Sequence, residues 1–186
     1  MADSVTLVRH GATEWSVSGQ HTSTTDLPLL PEGEAAARTV AGRLAGTTFA
    51  EVLTSPLRRA RHTAELAGYP GAEVCPDLVE WSYGDYEGRT TPQIREQDPG
   101  WTVWTHPSPG GESAAQVAAR CDRVVERVRA ASGPVLVFAH GHVLRVLTAR
   151  WLGLAPTEGR LFRLDTATVS VLGHERETPA LLRWNA

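Results

Sequence analysis

P-V-L-V-F-A-H-G-H, Pro134 to His142, carries the clearest buried strand of the chain and the residues that follow it. From Pro134 to Ala139 every residue is apolar and none is charged. Such a run fits a strand covered on both faces, as strands of parallel sheets are. Gly133-Pro134 stops whatever precedes it. Upstream, Ala114, Val117, Ala118, Cys121, Val124, Val125 and Val128 recur at helical spacing and predict a long helix with one apolar face. Downstream, a helix is predicted from about Val143 to Leu152.

Working outward, the same alternation recurs. V-T-L-V-R, Val5 to Arg9, is a short β-branched run fit for a buried strand. Pro31 opens an alanine-rich helix ending near Leu44. Glu51 to Ser55 reads as a second strand. Ser55 is expected to cap the next helix, with Pro56 in its first position and the helix running from Leu57 to about Leu66. From Pro76 to Gly111 the chain turns rich in Pro, Gly, Trp and Tyr, with one short helix expected near Thr91 to Gln97. The tail suggests strands at Arg160 to Leu164, Val169 to Leu172 and Ala180 to Trp184. Strand and helix in alternation predict an α/β fold, a three-layer αβα sandwich around a largely parallel sheet. The 186 residues are expected to form one domain, residues 1–186, with 76–111 as an inserted segment over the substrate pocket.

Composition narrows the function classes. Apolar residues make up 41% and charged residues 21%, ordinary for a globular chain. A formal net charge of -3 argues against nucleic acid as a partner. No apolar run is long enough to cross a bilayer, so no membrane partner is expected. The N-terminal stretch Met1 to His10 lacks a basic and an apolar leader region. Cys75 and Cys121 form no spaced pattern and read as buried thiols, which points to a cytoplasmic protein.

Ligands of parallel α/β sheets bind beyond the carboxyl ends of the strands. Arg9, His10 and Gly11 follow the first predicted strand, Ser55, Arg58 and Arg59 the second, and His140 and Gly141 the third. On a parallel sheet all three groups share one edge. Glycines beside both histidines let backbone approach a ligand. His140 and Gly141 also fall at a predicted helix N-terminus, which favours an anion. Arginine offers a bidentate fork to phosphate oxygens, and a neutral imidazole is a competent nucleophile. The pattern points to a phosphate site.

At four places the sequence resembles the histidine phosphatase superfamily, which includes the phosphoglycerate mutases. L-V-R-H-G-A-T-E-W-S near the N-terminus is similar to its signature. Ser55 to Ala64 is similar to its second phosphate-binding segment, Glu80 to Gly88 to its proton-donor segment, and Phe138 to His142 to the segment with its second pocket histidine. The four occur in order and span Val5 to about Leu154. The finer likeness, including Trp101 to Trp104 and G-G-E-S, is to the acid phosphatase and sedoheptulose-bisphosphatase-like branch. A short Arg89-to-Gly111 stretch without an arginine pair departs from the mutases and favours hydrolysis.

The resemblance implies a phosphoglycerate mutase-like fold and a metal-independent phosphatase that needs no cofactor. Its partner is a small phosphorylated substrate, and a homodimer is compatible with it. His10 would carry the phosphoryl group, with Arg9, Arg59 and His140 holding its oxygens and Glu80 as proton donor. Asp85 and Glu87 compete with Glu80 for that role. Ser16, Thr22, Ser23, Tyr83 and Gly141 would contact substrate. Arg58 and Arg61 read as a solvated helix face, and His62, His106 and His174 as structural. His140 and His142 could also suggest metal ligands, but no third ligand is evident. A mutase, a non-catalytic phospho-ligand binding module and a phosphoprotein phosphatase are the alternative functions. Trp101 and Trp104 fit either the core or the pocket wall.

Overall fold

The alternation of side chains along two neighbouring strands builds a two-faced core. In β1 (Val5–Arg9) and β4 (Val135–Ala139), Val5, Leu7, Val135, Val137 and Ala139 point to one face and Val8, Leu136 and Phe138 to the other. The computed structural model describes residues 4–186. The first three residues, part of the stretch read as lacking a leader, lie outside the described residues. The strands form one six-stranded sheet with β2 (Glu51–Thr54), β3 (Glu73–Val74), β5 (Val169–Glu175) and β6 (Thr178–Arg183), in the order β3-β2-β4-β1-β5-β6. The first four in that order run parallel, β5 pairs antiparallel with β1, and β6 pairs antiparallel with β5.

One face is covered by α2 (Pro31–Leu44) and α3 (Arg58–Leu66). The other is covered by α5 (Ala114–Ala130) and α6 (Gly141–Trp151). The expected three-layer arrangement is therefore present. The α5 helix buries Val117, Cys121, Val124, Val125 and Val128, the stripe read from the sequence, and its N-terminus carries a Ser113/Gln116 capping box. The predicted Pro31–Leu44 helix is found with the same bounds. Cys75 and Cys121 are buried free thiols.

Three expectations are corrected. Arg160 to Leu164 is not a strand: a 3-10 helix occupies Pro156–Leu161, and the chain then passes as a loop to β5. Gly159 explains this, because it is pressed against the Trp104 ring, where a Cβ would lie 2.7 Å away, and its carbonyl accepts Arg145 Nε. Nor does α3 begin at Pro56. It starts at Arg58, with Leu57 at its N-cap and no side-chain cap. Ser55 Oγ accepts only a long bond from Leu57 N, 3.3 Å, and is otherwise engaged with His140. Third, the 76–111 segment holds more local structure than one short helix. It has 3-10 turns at Pro76–Leu78 and Gly84–Tyr86 as well as α4 (Thr91–Arg95). The reading also missed α1 (Glu14–Ser18), whose capping box pairs Thr13 with Ser16.

The β1 end is fixed by a backbone-to-backbone approach. A Cβ on Gly33, inside α2, would sit 2.3 Å from the Ala12 carbonyl oxygen, and one on Gly11 would sit 2.4 Å from the Gly33 oxygen. Both contacts are backbone on backbone, so neither side yields cheaply. Gly33→Ala would gain roughly 1 kcal/mol of helix propensity. The forced shift costs roughly 1–3 kcal/mol or more. The expected net outcome is a lower urea midpoint for Gly33→Ala and lower activity through displaced residues 10–12. An exposed control, Gly42→Ala, has open space and should raise the midpoint.

Candidate active site

The parallel ladder continues past the named strands. His10 N donates to the Ala139 carbonyl at 3.0 Å, and Ser55 N donates to the Phe138 carbonyl at 2.9 Å. This brings His10, Ser55 and His140 to one edge. The His10 and His140 rings lie 5.2 Å apart, centroid to centroid, at an interplanar angle of 61°. Arg9, His10, Ser16, Thr22, Glu80, Tyr83, Gly141, His142 and Arg145 are among the residues around a cavity of about 170 Å³.

The hydrogen bonds assign the tautomers. His10 Nδ1 is 2.7 Å from the Gly11 carbonyl oxygen, which can only accept. Nδ1 therefore carries the proton, and Nε2 is left with a bare lone pair. His140 has the opposite arrangement. Its Nδ1 accepts from Arg59 Nε at 3.1 Å, so its proton lies on Nε2, which donates to Ser55 Oγ at 2.7 Å. Burial, together with the charges of Arg59 and Arg9, holds the His10 pKa well below the ordinary imidazole value. For His140 burial again comes first, followed by Arg59 and His10. Both rings are neutral near neutral pH.

Arg9 is half-buried at the cavity. Its Nη1 donates to the Leu164 carbonyl at 2.6 Å, whereas its Nε has no partner in the protein. A buried donor without a partner is costly, and here it belongs to a residue that lines the same cavity as His10. Arg59 is wholly buried but does not border the cavity. Its guanidinium donates to the carbonyls of Thr22, Ser23 and Thr25 as well as to His140, so it braces the 22–25 loop from behind. Ser23 is also set back, with its hydroxyl on the Glu80 carbonyl. Ser16 and Thr22 reach the cavity wall, but their hydroxyls are engaged locally, in the Thr13 capping box and on the Gln20 carbonyl.

Glu80 takes the helix N-terminus that the sequence reading offered to a ligand. Its Oε1 accepts from Trp81 N and Val143 N at 2.9 and 2.8 Å, and its Oε2 from His142 N at 2.9 Å. A carboxylate has about four lone-pair sites. The two acceptor bonds at Oε1 and the one at Oε2 leave Oε2 as the oxygen with room for a proton. Asp85 is exposed, and Glu87 is spent on the backbone N–H groups of Ser23 and Thr25. Of these three acids Glu80 is the one on the cavity wall. Its segment is fixed by Arg120, which donates to the carbonyls of Asp77 and Val79 and, through Nε and Nη2, to Glu112. Glu112 in turn accepts from Ser82 N.

The far wall is aromatic. Tyr83 Oη and His142 Nδ1 are 2.6 Å apart, and His21 lies against Tyr83 and Trp101. Trp101 is fully buried core, whereas Trp104 is partly buried with its ring beside His142. His21, Gln20, Trp15 and Arg145 on this wall were missed by the sequence reading. Arg145 was findable: it stands four residues after Gly141 on one helix, so the two share a face. Arg58 and Arg61 are exposed, as expected, and His62, His106 and His174 lie outside the cavity lining. Among the described residues no group of three or more His, Cys, Asp or Glu is arranged to hold a metal ion.

The chain matches the histidine phosphatase superfamily (branch 1) over residues 5–186 and is a member of that family, an enzyme of the histidine phosphatase type. It is 45% identical over 174 residues to an acid phosphatase of Mycobacterium tuberculosis, covering 91% of this chain and 85% of that one. It is 36% identical over 181 residues to the sedoheptulose 1,7-bisphosphatase of Saccharomyces cerevisiae, covering 80% and 67%. Among solved structures, an open-reading-frame product of Mycobacterium tuberculosis superposes with a TM-score of 0.93 at 41% identity, covering 98% of this chain and 96% of that one. A mycobacterial glucosyl-3-phosphoglycerate phosphatase complexed with VO3 superposes with a TM-score of 0.87 at 30% identity, covering 98% of each.

The buried neutral histidines carry a pH signature. Desolvation lowers the His21 pKa to about 4. His10, His140 and His142 are also shifted down. In the unfolded chain each would take up a proton near pH 6.5. Below that pH the unfolded state binds more protons than the folded one, so stability falls as pH falls. The urea midpoint of the free enzyme should therefore decline from pH 7 towards pH 4. Imidazole NMR should show His21 titrating near pH 4 and no titration of His10, His140 or His142 around pH 6.5.

Proposed function

We propose that the protein is a metal-independent phosphatase that hydrolyses small phosphate monoesters through a phosphohistidine on His10. The observation that carries this is that two residues lining one cavity hold a bare His10 Nε2 and an unpartnered, buried Nε of Arg9. Nε2 attacks phosphorus as the ester P–O bond breaks, and the leaving oxygen takes a proton from Glu80 Oε2. Water then attacks the phosphohistidine, returns a proton to Glu80, and the P–N bond breaks to release phosphate and restore the lone pair on His10. Arg9 supplies a charged donor to the phosphoryl oxygens, the task a metal ion would otherwise perform.

Arg59 and His140 contribute to the field around the same oxygens. Direct contact would require His140 or Arg59 Nε to exchange its present partner, or use of the Nη1 hydrogen of Arg59 left after its bond to Thr25. Tyr83 and Gly141 face the substrate, as do Ser16 and Thr22. The 76–111 segment, which supplies Glu80 and Tyr83, acts as the pocket cover of a single domain. The buried free thiols support a cytoplasmic setting.

Variants, trapping and inhibition test this reading. His10→Ala should abolish turnover with the fold intact, and rapid quench of the native enzyme should trap an acid-labile, base-stable phosphoryl label on His10. Vanadate should inhibit, and activity should persist in chelator; complete loss restored by magnesium or zinc would overturn metal independence. Glu80→Gln should cost roughly 10²–10⁴-fold for an alkyl phosphate and far less for p-nitrophenyl phosphate, whose leaving group hardly needs a proton. Equal losses would remove Glu80 from the acid role.

A further inference from the structure

The two groups that set the histidine tautomers are themselves joined. His10 Nδ1 meets the Gly11 carbonyl, and His140 Nδ1 meets Arg59 Nε. Between Gly11 and Arg59 stands one hydroxyl. Gly11 N donates to Thr63 Oγ1 at 3.0 Å, and Thr63 Oγ1 donates to the Arg59 carbonyl at 2.7 Å. Both directions are fixed, because an amide N–H can only donate and a carbonyl can only accept.

The helix that carries Thr63 does not account for it. Thr63 lies inside α3 and is fully buried. A β-branched residue is a modest helix former, and a hydroxyl bonded back to the carbonyl four residues earlier adds nothing to helix stability. Its oxygen is needed by a different segment. The ladder between β1 and β4 ends with the bond from His10 N to the Ala139 carbonyl, and among the described residues no main-chain carbonyl takes the next N–H, that of the buried Gly11. Without Thr63 Oγ1 that donor would be buried and unpaired.

The placement bears on both histidines. Gly11 has no side chain to restrict its backbone, yet its carbonyl has to meet His10 Nδ1. Its N–H is tied to Thr63, and the Gly33 carbonyl closes off the side where a Cβ would be. Arg59 stands one helical turn before Thr63. The turn of α3 that ties down Gly11 therefore also carries the guanidinium that bonds His140.

We propose that Thr63 is a positioning residue for phosphoryl transfer: its hydroxyl holds Gly11 and Arg59 in the arrangement that keeps His10 protonated at Nδ1 and His140 at Nε2. This rests on the phosphatase reading above. Thr63→Val keeps the branched shape and removes the hydroxyl, whereas Thr63→Ser keeps the hydroxyl. Proton–nitrogen correlation spectra of the imidazoles in the free native enzyme should show His10 with its proton on Nδ1 and His140 with its proton on Nε2. In Thr63→Val the His10 ring should become a mixture of tautomers, and kcat for p-nitrophenyl phosphate should fall about 10- to 100-fold, the cost of a misplaced reacting group. Thr63→Ser should keep the native tautomers and most of the native kcat. A valine variant with native tautomers overturns the proposal, whether its kcat is unchanged or has fallen through a merely structural defect. A serine variant that loses the native tautomers overturns it as well. If the valine variant does not fold, Thr63→Ala takes its place in the same comparison. The tautomers are read without turnover, so the two readings fail separately. A native enzyme that shows the expected tautomers but hydrolyses neither p-nitrophenyl phosphate nor an alkyl phosphate overturns the phosphatase reading.

Discussion

The register of β4 between β1 and β2 is the constraint on which the site depends. Arg9 stands opposite Ala139 and Thr54 opposite Phe138, and each ladder gains one more backbone bond beyond its strand end. A slip of one residue on a strand exchanges its two faces. In β4 that would turn Leu136 and Phe138 towards α5 and α6, and Val135 and Val137 towards α2 and α3, against both halves of the core. The core thus fixes the register, and the register fixes how far His10 and His140 lie apart. The chemistry needs no separate device to bring the two imidazoles together.

Around that edge the protein uses its arginines in two ways. Arg59 and Arg120 are struts: each gathers backbone carbonyls of an irregular segment that has no ladder to hold it. Arg59 fixes residues 22–25 and Arg120 fixes 77–79, with Glu112 reaching on to Ser82. The difference lies in charge. Arg120 is balanced by Glu112 in a partly buried pair. Arg59 has no paired acid, and its charge is left to act on the nearby histidines. After burial itself, the side chain that braces the loop is the next cause that keeps His10 neutral.

Much of this was legible in the sequence because it is periodic or adjacent. The helix at Pro31–Leu44 and the apolar stripe of α5 follow from spacing alone, and His10 and His140 follow from standing at strand ends. What was illegible depends on contacts distant in sequence. Arg160 to Leu164 reads as a strand, yet Gly159 under Trp104 and Arg145 lies where the chain forms a 3-10 helix that takes in its first part. Ser55 has the residue type of a helix cap, yet His140, 85 residues away, takes its hydroxyl. Glu80 gave no local sign that it would cap α6. The Thr13 capping box closes on a serine rather than on the usual glutamate or glutamine, so α1 had a weak signature.

Two histidines of the same type, both neutral and both at ends of parallel strands, must still be told apart if one is to be a nucleophile. The distinction comes from what each Nδ1 meets. His10 Nδ1 faces a carbonyl, which can only accept, so the proton is fixed there and Nε2 keeps its lone pair. His140 Nδ1 faces a guanidinium N–H, which can only donate, so its lone pair is consumed and Nε2 becomes a donor. A second proton on His140 would leave two N–H groups pointing at each other across 3.1 Å beside a full positive charge. A second proton on His10 would place a buried cation near Arg59 and Arg9. Each wrong state is opposed by a group that the fold already holds for another purpose. The two tautomers are thus assigned by one main-chain oxygen and one strut, and the carbonyl of Gly11 can occupy its place only because Gly11 and Gly33 let two backbones meet where a side chain would keep them apart.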